Sequence, residues 1–484
     1  MPQHDDAMKK RREKREAQRK KREAEARRLK RTLALAAAVL LLAGVGIFRL
    51  VKNKPQKEPQ KEPQQVQQAV QETQAPKETK PKATLPVKQD PITTIHIKAA
   101  GDLNITNDVV NSGMAIGGYD FGPVFKDVAA ILAEADLTLL NMEGNFVGEP
   151  YGTERVSAPN RLLNDLRACG VDLLQTANSC IINNGMIGLT STLQAIRNSG
   201  IEPVGAYSTE SELRVGKGYT IANIQGVKVA FVSFTKGLGG RGMPDGNEEL
   251  VNLLYVDYAT EYKKINTDRI KAILKNVEAE KPDITIALLH WGSEYNDDIS
   301  PSQESIASLM QKGGVDVIIG SHPHTLQPIA FDELKGTLVA YSLGDFFGDA
   351  QRGATNYSII LDIEITKDSD AGTTKVTDYS YTPIYTVKET ESPDEQRRVV
   401  RIHPAIAAYE GNFLDKVTKS TYESMLYALQ RISERMAVTV EVECPNCEKE
   451  AFILVSSKTG ELVKDTNCKC GNTLPIGANR RDYE

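Results

Sequence analysis

Three of the six histidines in this chain sit in two short motifs, His290-Trp291-Gly292 and Gly320-Ser321-His322-Pro323-His324. Three further motifs upstream carry carboxylates, amides or a thiol: Gly101-Asp102, Asn141-Met142-Glu143 and Ala177-Asn178-Ser179-Cys180. Imidazoles beside carboxylates form a mixed nitrogen and oxygen set suited to divalent zinc, manganese or iron. Two such ions about 3.5–4 Å apart clamp a phosphate and generate a hydroxide nucleophile. Pro323 separates two of the imidazoles and stiffens the loop that would hold them. Buried structural hydrogen bonding is the competing use of such side chains. His96 reads as a structural strand residue, and His4 and His403 as surface residues.

Each motif follows an apolar run of strand length. The patterning predicts strands over 95–100, 137–142, 171–176, 201–204, 283–289, 315–319, 337–342 and 357–365. It predicts helices over 121–134, 159–168, 189–198, 258–280 and 301–312. A hairpin is expected from 216–224 and 227–234, turning at Gln225-Gly226. Strands alternating with amphipathic helices predict an α/β layered fold. In open α/β sheets, sites form beyond the carboxyl ends of the strands. Five consecutive strand exits carry polar, ligand-type residues, which loop composition alone does not explain. The glycine-rich loop 236–247 lacks the lysine-serine ending of a phosphate-binding loop and reads as a surface loop, with a flap over the site as the alternative.

The motifs resemble those of the CapA (poly-gamma-glutamate capsule synthesis) family, a divergent branch of the calcineurin-like metallophosphoesterases. Gly101-Asp102 is followed by Tyr119-Asp120-Phe121 with Phe125, then Ala135-Asp136-Leu137 leading to Asn141 and Glu143. Next come His290-Trp291-Gly292 with Glu294-Tyr295, then Gly320, His322-Pro323-His324 and Gln327, and last Tyr341-Ser342-Leu343-Gly344-Asp345-Phe346. The match spans about residues 94–365, in order and spacing. It implies a layered metallophosphoesterase-like domain with Asp102, Glu143, His290, His322 and His324 as metal ligands, Glu143 bridging. It places Asn178, Cys180 and Glu294 at catalytic positions, and has Trp291, Tyr295 and Gln327 line or brace the substrate site. The function it implies is synthesis or attachment of poly-gamma-glutamate or a related surface polymer.

One motif departs from the family pattern, Ala-Asn-Asn-His-x-x-Asp-x-Gly. Ser179 stands for the second asparagine, Cys180 for the histidine and Asn183 for the aspartate. A serine hydroxyl is a poor neutral ligand, and a thiol with a pKa near 8.5 lacks the geometry of imidazole. The departure predicts a weak phosphoesterase, or a catalytically silent binding or assembly protein on the same fold. A Cys169–Cys180 disulfide is not expected. The intervening strand, at about 3.3 Å per residue, would hold the pair beyond the ~7 Å limit.

Charge is spread unevenly. Residues 1–31 hold 14 Lys/Arg and 6 Asp/Glu, a local +8 against −5 for the whole, so −13 falls on the remainder. A nucleic-acid binder carries its basic patch on the folded part, so no nucleic-acid partner is expected. An uncharged run from Thr32 to Phe48 follows, extended to residue 51. A bilayer core needs about 20 apolar residues, with about 17 as the lower limit. Lys and Arg on the amino side predict that residues 1–31 stay in the cytoplasm. The expectation is a single-pass membrane protein with its main domain extracytoplasmic. A cleaved signal peptide is the competing reading, but its charged region would be unusually long and no small-x-small site follows. Residues 52–92, rich in Pro, Gln, Lys and Glu, cannot offset their ordering entropy and read as a stalk.

The main domain is expected over 93–390, a helical segment over 391–440 and a small module over 441–484. Cys444-Pro445-Asn446-Cys447 and Cys468-Lys469-Cys470-Gly471 flank a β-rich stretch, the pattern of a zinc ribbon, with Cys444, Cys447, Cys468 and Cys470 as structural zinc ligands. Two disulfides are the alternative if this end lies outside the cell.

Overall fold

The computed structural model describes residues 91–392, 395–413 and 416–483. Its second compact unit runs from Pro86 to Glu484. The expected basic segment, anchor and nearly all of the stalk lie outside the described residues. Among the described residues no helix is long and apolar enough to cross a membrane.

Two sheets carry the main domain. In chain order the strands are β1 Ile92–Asn104, β2 Leu137–Glu143, β3 Leu173–Gln175, β4 Glu202–Val204, β5 Tyr219–Ile224, β6 Val227–Thr235, β7 Ile284–His290, β8 Val317–Ser321, β9 Ile329–Asp332, β10 Thr337–Ala340, β11 Asp345–Phe347, β12 Tyr357–Asp368, β13 Thr373–Val387 and β14 Arg398–Arg401. The first sheet has the order β14-β13-β12-β1-β2-β3-β4, with β11 also pairing β1. The second has the order β9-β10-β8-β7-β6-β5. Strands β1 to β4 run parallel to one another, as do β6, β7, β8 and β10.

Alternation along these strands decides the layering. In β1, Ile95, Ile97 and Ala99 join Val229, Phe231, Ile286, Leu288 and Ile319 of the other sheet in one buried cluster between the sheets. The opposite phase, Leu140, Met142 and Leu174, packs on the helix Arg161–Ala168 through Leu162, Leu163 and Leu166. Likewise Val232, Phe234, Ala287 and Leu289 meet the helices Thr267–Ala279 and Pro301–Lys312. The result is helix, sheet, sheet, helix: the α/β layered fold expected from the sequence.

The structure corrects several expected elements. The 258–280 helix starts only at Thr267, because the Asp257 carboxylate accepts from the backbone N–H groups of Lys263 and Lys264 and closes a loop there. The 121–134 helix is two short pieces, Gly122–Phe125 and Ala129–Ala133. The 391–440 segment is not purely helical. Arg398–Arg401 pairs antiparallel with Ile384–Val387 as the edge of the first sheet. The helix Lys419–Met436 then buries Met425, Ala428, Ile432 and Met436 in the cluster between the sheets. This segment is therefore part of the main fold. The last module is a hairpin of Ala437–Glu443 and Glu450–Ser456 over a core of seven buried residues.

Candidate metal centre

The ligand-type side chains converge because both sets of parallel strands end at one edge. Asp102 lies near the end of β1 and Asn141 near that of β2, Glu143 is the last residue of β2 and His290 of β7, and His322 and His324 follow β8. Two glycines permit the approach. A Cβ on Gly101 would stand 1.7 Å from the Gly344 carbonyl oxygen, and one on Gly320 would stand 1.9 Å from that of Tyr341. No other residue fits at either point. His322 and His324 have φ of 92° and 59°, and Tyr295 has 60°. Bulky residues in this region carry strain, which persists only where surroundings enforce it and clusters at functional sites.

Asn141 organises the centre. Its amide donates to Asp102 Oδ1 at 2.8 Å and Glu143 Oε1 at 3.2 Å, and accepts from Asn178 Nδ2 at 3.1 Å. The backbone N–H of His322 donates to Asp102 Oδ2 at 3.0 Å. His324 Nδ1 lies 2.8 Å from Asp345 Oδ1 and 3.5 Å from Asp102 Oδ2. Three groups have ligand atoms within 4.8 Å of one another: Glu143 with His290 and His322; Asp102 with Glu143 and His324; and Glu294 with His322 and His324. Each of these could hold a metal ion, and Glu143 belongs to two. His290 Nε2 and His322 Nδ1 are buried without a hydrogen-bond partner among the described residues. An orphaned ring nitrogen is costly unless something binds it.

Burial sets the protonation states. It pushes Asp102 up to about 6, partly offset by His324, and Glu143 up to about 8. Burial, then neighbouring His322 and His324, holds His290 well below the usual histidine range. Burial, then Lys236, does the same for His322. Both rings are thus neutral, the form that binds metal. Burial opposes charge on His324, but Asp345, Glu143 and Asp102 outweigh it and raise the ring to about 11.

The family described as Bacterial capsule synthesis protein PGA_cap matches residues 96–350, more than half of the chain. The chain belongs to this family. The Capsule biosynthesis protein CapA of Bacillus anthracis is 26% identical over 297 residues, covering 60% of this chain and 68% of that protein. The PGA biosynthesis protein CapA of Bacillus subtilis (strain 168) is 27% identical over 232 residues, covering 47% and 54%. A solved structure described as a novel phosphatase from Mycoplasma pneumoniae aligns with a TM-score of 0.37 and 13% identity, over 61% of this chain and 94% of that one. At that score the likeness carries no argument about the site.

In this PGA_cap chain the remaining expected site residues divide into those facing the centre and those bracing it. Glu294 is exposed and reaches His322 and His324. Tyr295, 40% exposed, stacks on His324 with ring centroids 5.4 Å apart. Cys180 Sγ lies 3.7 Å and Ser179 Oγ 3.1 Å from Glu143 Oε2. Burial, then Glu143, pushes the Cys180 thiol up, so it stays protonated. Asn178 is fully engaged: Nδ2 donates to Asn141 Oδ1 and the Met142 carbonyl, and Oδ1 accepts from the Cys180 N–H. It is a brace. Trp291 is 1% exposed, stacks on Tyr341 and donates to its carbonyl at 2.8 Å. Gln327 is fully buried and donates to the carbonyls of Asn296 and Asp298 at 2.9 Å each. It also accepts from Gln303, whose own side chain completes the capping box of the helix Pro301–Lys312 with Ser300. Trp291 and Gln327 therefore brace the 291–298 loop.

Two contributors escaped the sequence reading. Asp345 and Asn104 fix His324: Asn104 Nδ2 donates to Asp345 Oδ1 at 2.8 Å. The loop after β6 is packed against the centre. Lys236 N–H donates to the His290 carbonyl and its Nζ to the Gly292 carbonyl. Gly239 abuts the Ser179 carbonyl. Cys169 and Cys180 are both free thiols, as expected.

The four C-terminal cysteines form a second cluster that could hold a metal ion. Cys444 Sγ lies 3.7 Å from Cys470 Sγ, and Cys447 Sγ 3.6 Å from Cys468 Sγ. Asn446 Nδ2 donates to Cys470 Sγ and Asn472 Nδ2 to Cys444 Sγ. The Asn472 backbone N–H, then the Asn446 amide, lowers Cys470 to about 6.

Proposed function

We propose that this chain acts in the synthesis or attachment of poly-gamma-glutamate or a related cell-surface polymer, through a divalent-metal centre of Asp102, Glu143, His290, His322 and His324. The observation that carries it is the pair of buried, neutral imidazoles with orphaned nitrogens beside carboxylates raised by burial. Such a donor set has no stable use without a cation, since each unpaired buried group costs about 1–3 kcal/mol. Manganese, zinc or iron suits the mixed oxygen and nitrogen set. When bound, the metal supplies Lewis-acid polarisation of a phosphoryl or carbonyl oxygen and an activated water. The chain's own residues orient that chemistry: Asn141 sets both carboxylates, Asp345 sets His324, and Glu294 and Tyr295 face the substrate side. The full chain should contain divalent metal, and His322→Ala with His324→Ala should remove it. Equal central metal content in parent and double variant would falsify the assignment.

A second reading, a binding or assembly protein without turnover, is favoured by one observation. Where the family has imidazole, Cys180 presents a thiol that burial keeps protonated, a weak proton donor to a leaving group. We also propose that residues 32–51 anchor the chain in the membrane with the main domain outside the cytoplasm, supported by the +8 charge of residues 1–31. A fused reporter after Val87 that works only in the cytoplasm should be silent; activity there overturns the topology. At the C-terminal cluster the proposed ligand is zinc. Sulfurs about 2.3 Å from one ion lie about 3.8 Å apart in a tetrahedron, close to the two separations seen, whereas a disulfide needs about 2.05 Å.

A further inference from the structure

Beside the centre stands a cation that makes no ion pair among the described residues. Arg352 is exposed, and its guanidinium carbon lies 3.9 Å above the centroid of the Tyr295 ring. The other face of the same arrangement is Tyr295 stacked on His324. A row of guanidinium, phenol and imidazole therefore leads from the surface into the ligand set. Among the described residues Arg352 makes no ion pair and no side-chain hydrogen bond; its carbonyl accepts from Thr355 Oγ1 at 2.9 Å.

The loop that carries Arg352 is built. It follows β11, whose Asp345 holds His324. Arg397, 3% exposed, donates to the Asp349 carbonyl at 2.8 Å. The same guanidinium forks onto Glu389 at 2.9 and 3.0 Å and reaches Asp108 at 3.1 Å. Gln351 Nε2 also donates to Asp108, at 3.0 Å. A buried, fully paired arginine thus fixes the loop, while the neighbouring exposed one is left with its fork open. Supporting contacts of this kind are what a binding group needs to act at a set position.

We propose that Arg352, held over the Tyr295 ring, grips a second anionic group of the substrate whose first group sits at the metal centre, and that this group is a free α-carboxylate of a γ-linked glutamate chain. The proposal deepens the reading of the centre given above and rests on it for the identity of the chain. A guanidinium matches a carboxylate through two parallel N–H donors. Its stacking on an aromatic face keeps the fork oriented at little entropic cost.

The test measures binding of a fluorescent γ-linked glutamate oligomer to the full, manganese-loaded chain, with metal content and inorganic phosphate affinity read in parallel. Arg352→Gln should weaken the oligomer about tenfold to a hundredfold and leave metal content and phosphate affinity unchanged. Tyr295→Leu should lose a similar factor, and the double variant little more than either alone. Arg352→Lys, which keeps charge but not the fork, should fall between. Unchanged oligomer affinity in Arg352→Gln, or no binding by the parent, overturns the proposal. A parent that ignores the glutamate oligomer but binds a glycerol-phosphate oligomer through Arg352 overturns the carboxylate assignment. A parent that lacks metal yet loses oligomer affinity on Arg352→Gln supports the grip and sinks the metal reading.

Discussion

The centre at the strand ends and the four-cysteine cluster are both sets of ligands without wasted atoms, yet they are built in opposite ways. The central ligands come from residues spread between Asp102 and His324, brought together by two sheets and their helices. The cysteines come from two knuckles about twenty residues apart, over a core of only seven buried residues. In the first case the fold makes the site; in the second the site must make the fold. A core that small cannot offset the chain entropy of some forty ordered residues without a staple.

That contrast can be broken most sharply at the cysteines. Structural zinc contributes on the order of 10–16 kcal/mol to folding in small domains. Cys444→Ser with Cys470→Ser should lose the ion and open residues 441–483 to protease, with little change in the thermal transition of the main domain. Equal protease resistance would mean the module holds itself together. At the centre, changes should instead alter chemistry while the fold stands. Ser179→Asn with Cys180→His restores an amide and an imidazole, and general acid catalysis is worth about 10²–10⁴-fold. Turnover of a generic phosphodiester should rise by such a factor. A parent already turning over at about 1–10³ per second would show the departure to be harmless. If both forms bind metal and neither turns over, the assembly reading stands.

The smallest effect is the proton linkage. Without metal, Glu143 titrates at about 8 and Asp102 at about 6, both raised chiefly by burial. Raised carboxyls favour the fold while protonated, so the metal-free domain loses stability as pH climbs through these values. Metal needs the ionised forms and must expel those protons. Manganese affinity should therefore rise about tenfold or more per pH unit from about 6 to 8, and less steeply above, where the His324 proton, held up to about 11, is the one left to expel. A slope that does not change near pH 8 would sink the ligand assignment for Glu143.

The strand exits were legible because β-strands of this fold are short, apolar and end in polar residues. The turn at Gln225-Gly226 was legible too, and both residues take positive φ of 49° and 86°, as a two-residue hairpin turn demands. The strand Arg398–Arg401 was not. Its neighbours read as an amphipathic helix, and only pairing with Ile384–Val387 makes it a strand. Asp345 was hidden for a related reason. Its partner His324 is nearby in sequence, but the loop that aims them at one another is set by β11 lying parallel to β1. Trp291 was expected to line or brace the site, and its bracing contact depends on the fold. Its size and apolar faces send it to the core, where the Tyr341 carbonyl takes its one polar atom.

The central place of β1 has a consequence for biosynthesis. The strand is made first, but its antiparallel neighbour β12 includes Thr366, 272 residues after the Thr94 hydroxyl it meets. At about 5–20 residues per second, one edge of β1 stays without its native partner for roughly 15–50 s after it leaves the ribosome. An unpaired apolar edge is a template for pairing with other chains. Overproduction should therefore favour aggregates seeded by residues 92–104, read as aggregation that falls when a charge is placed on the exposed edge of that strand.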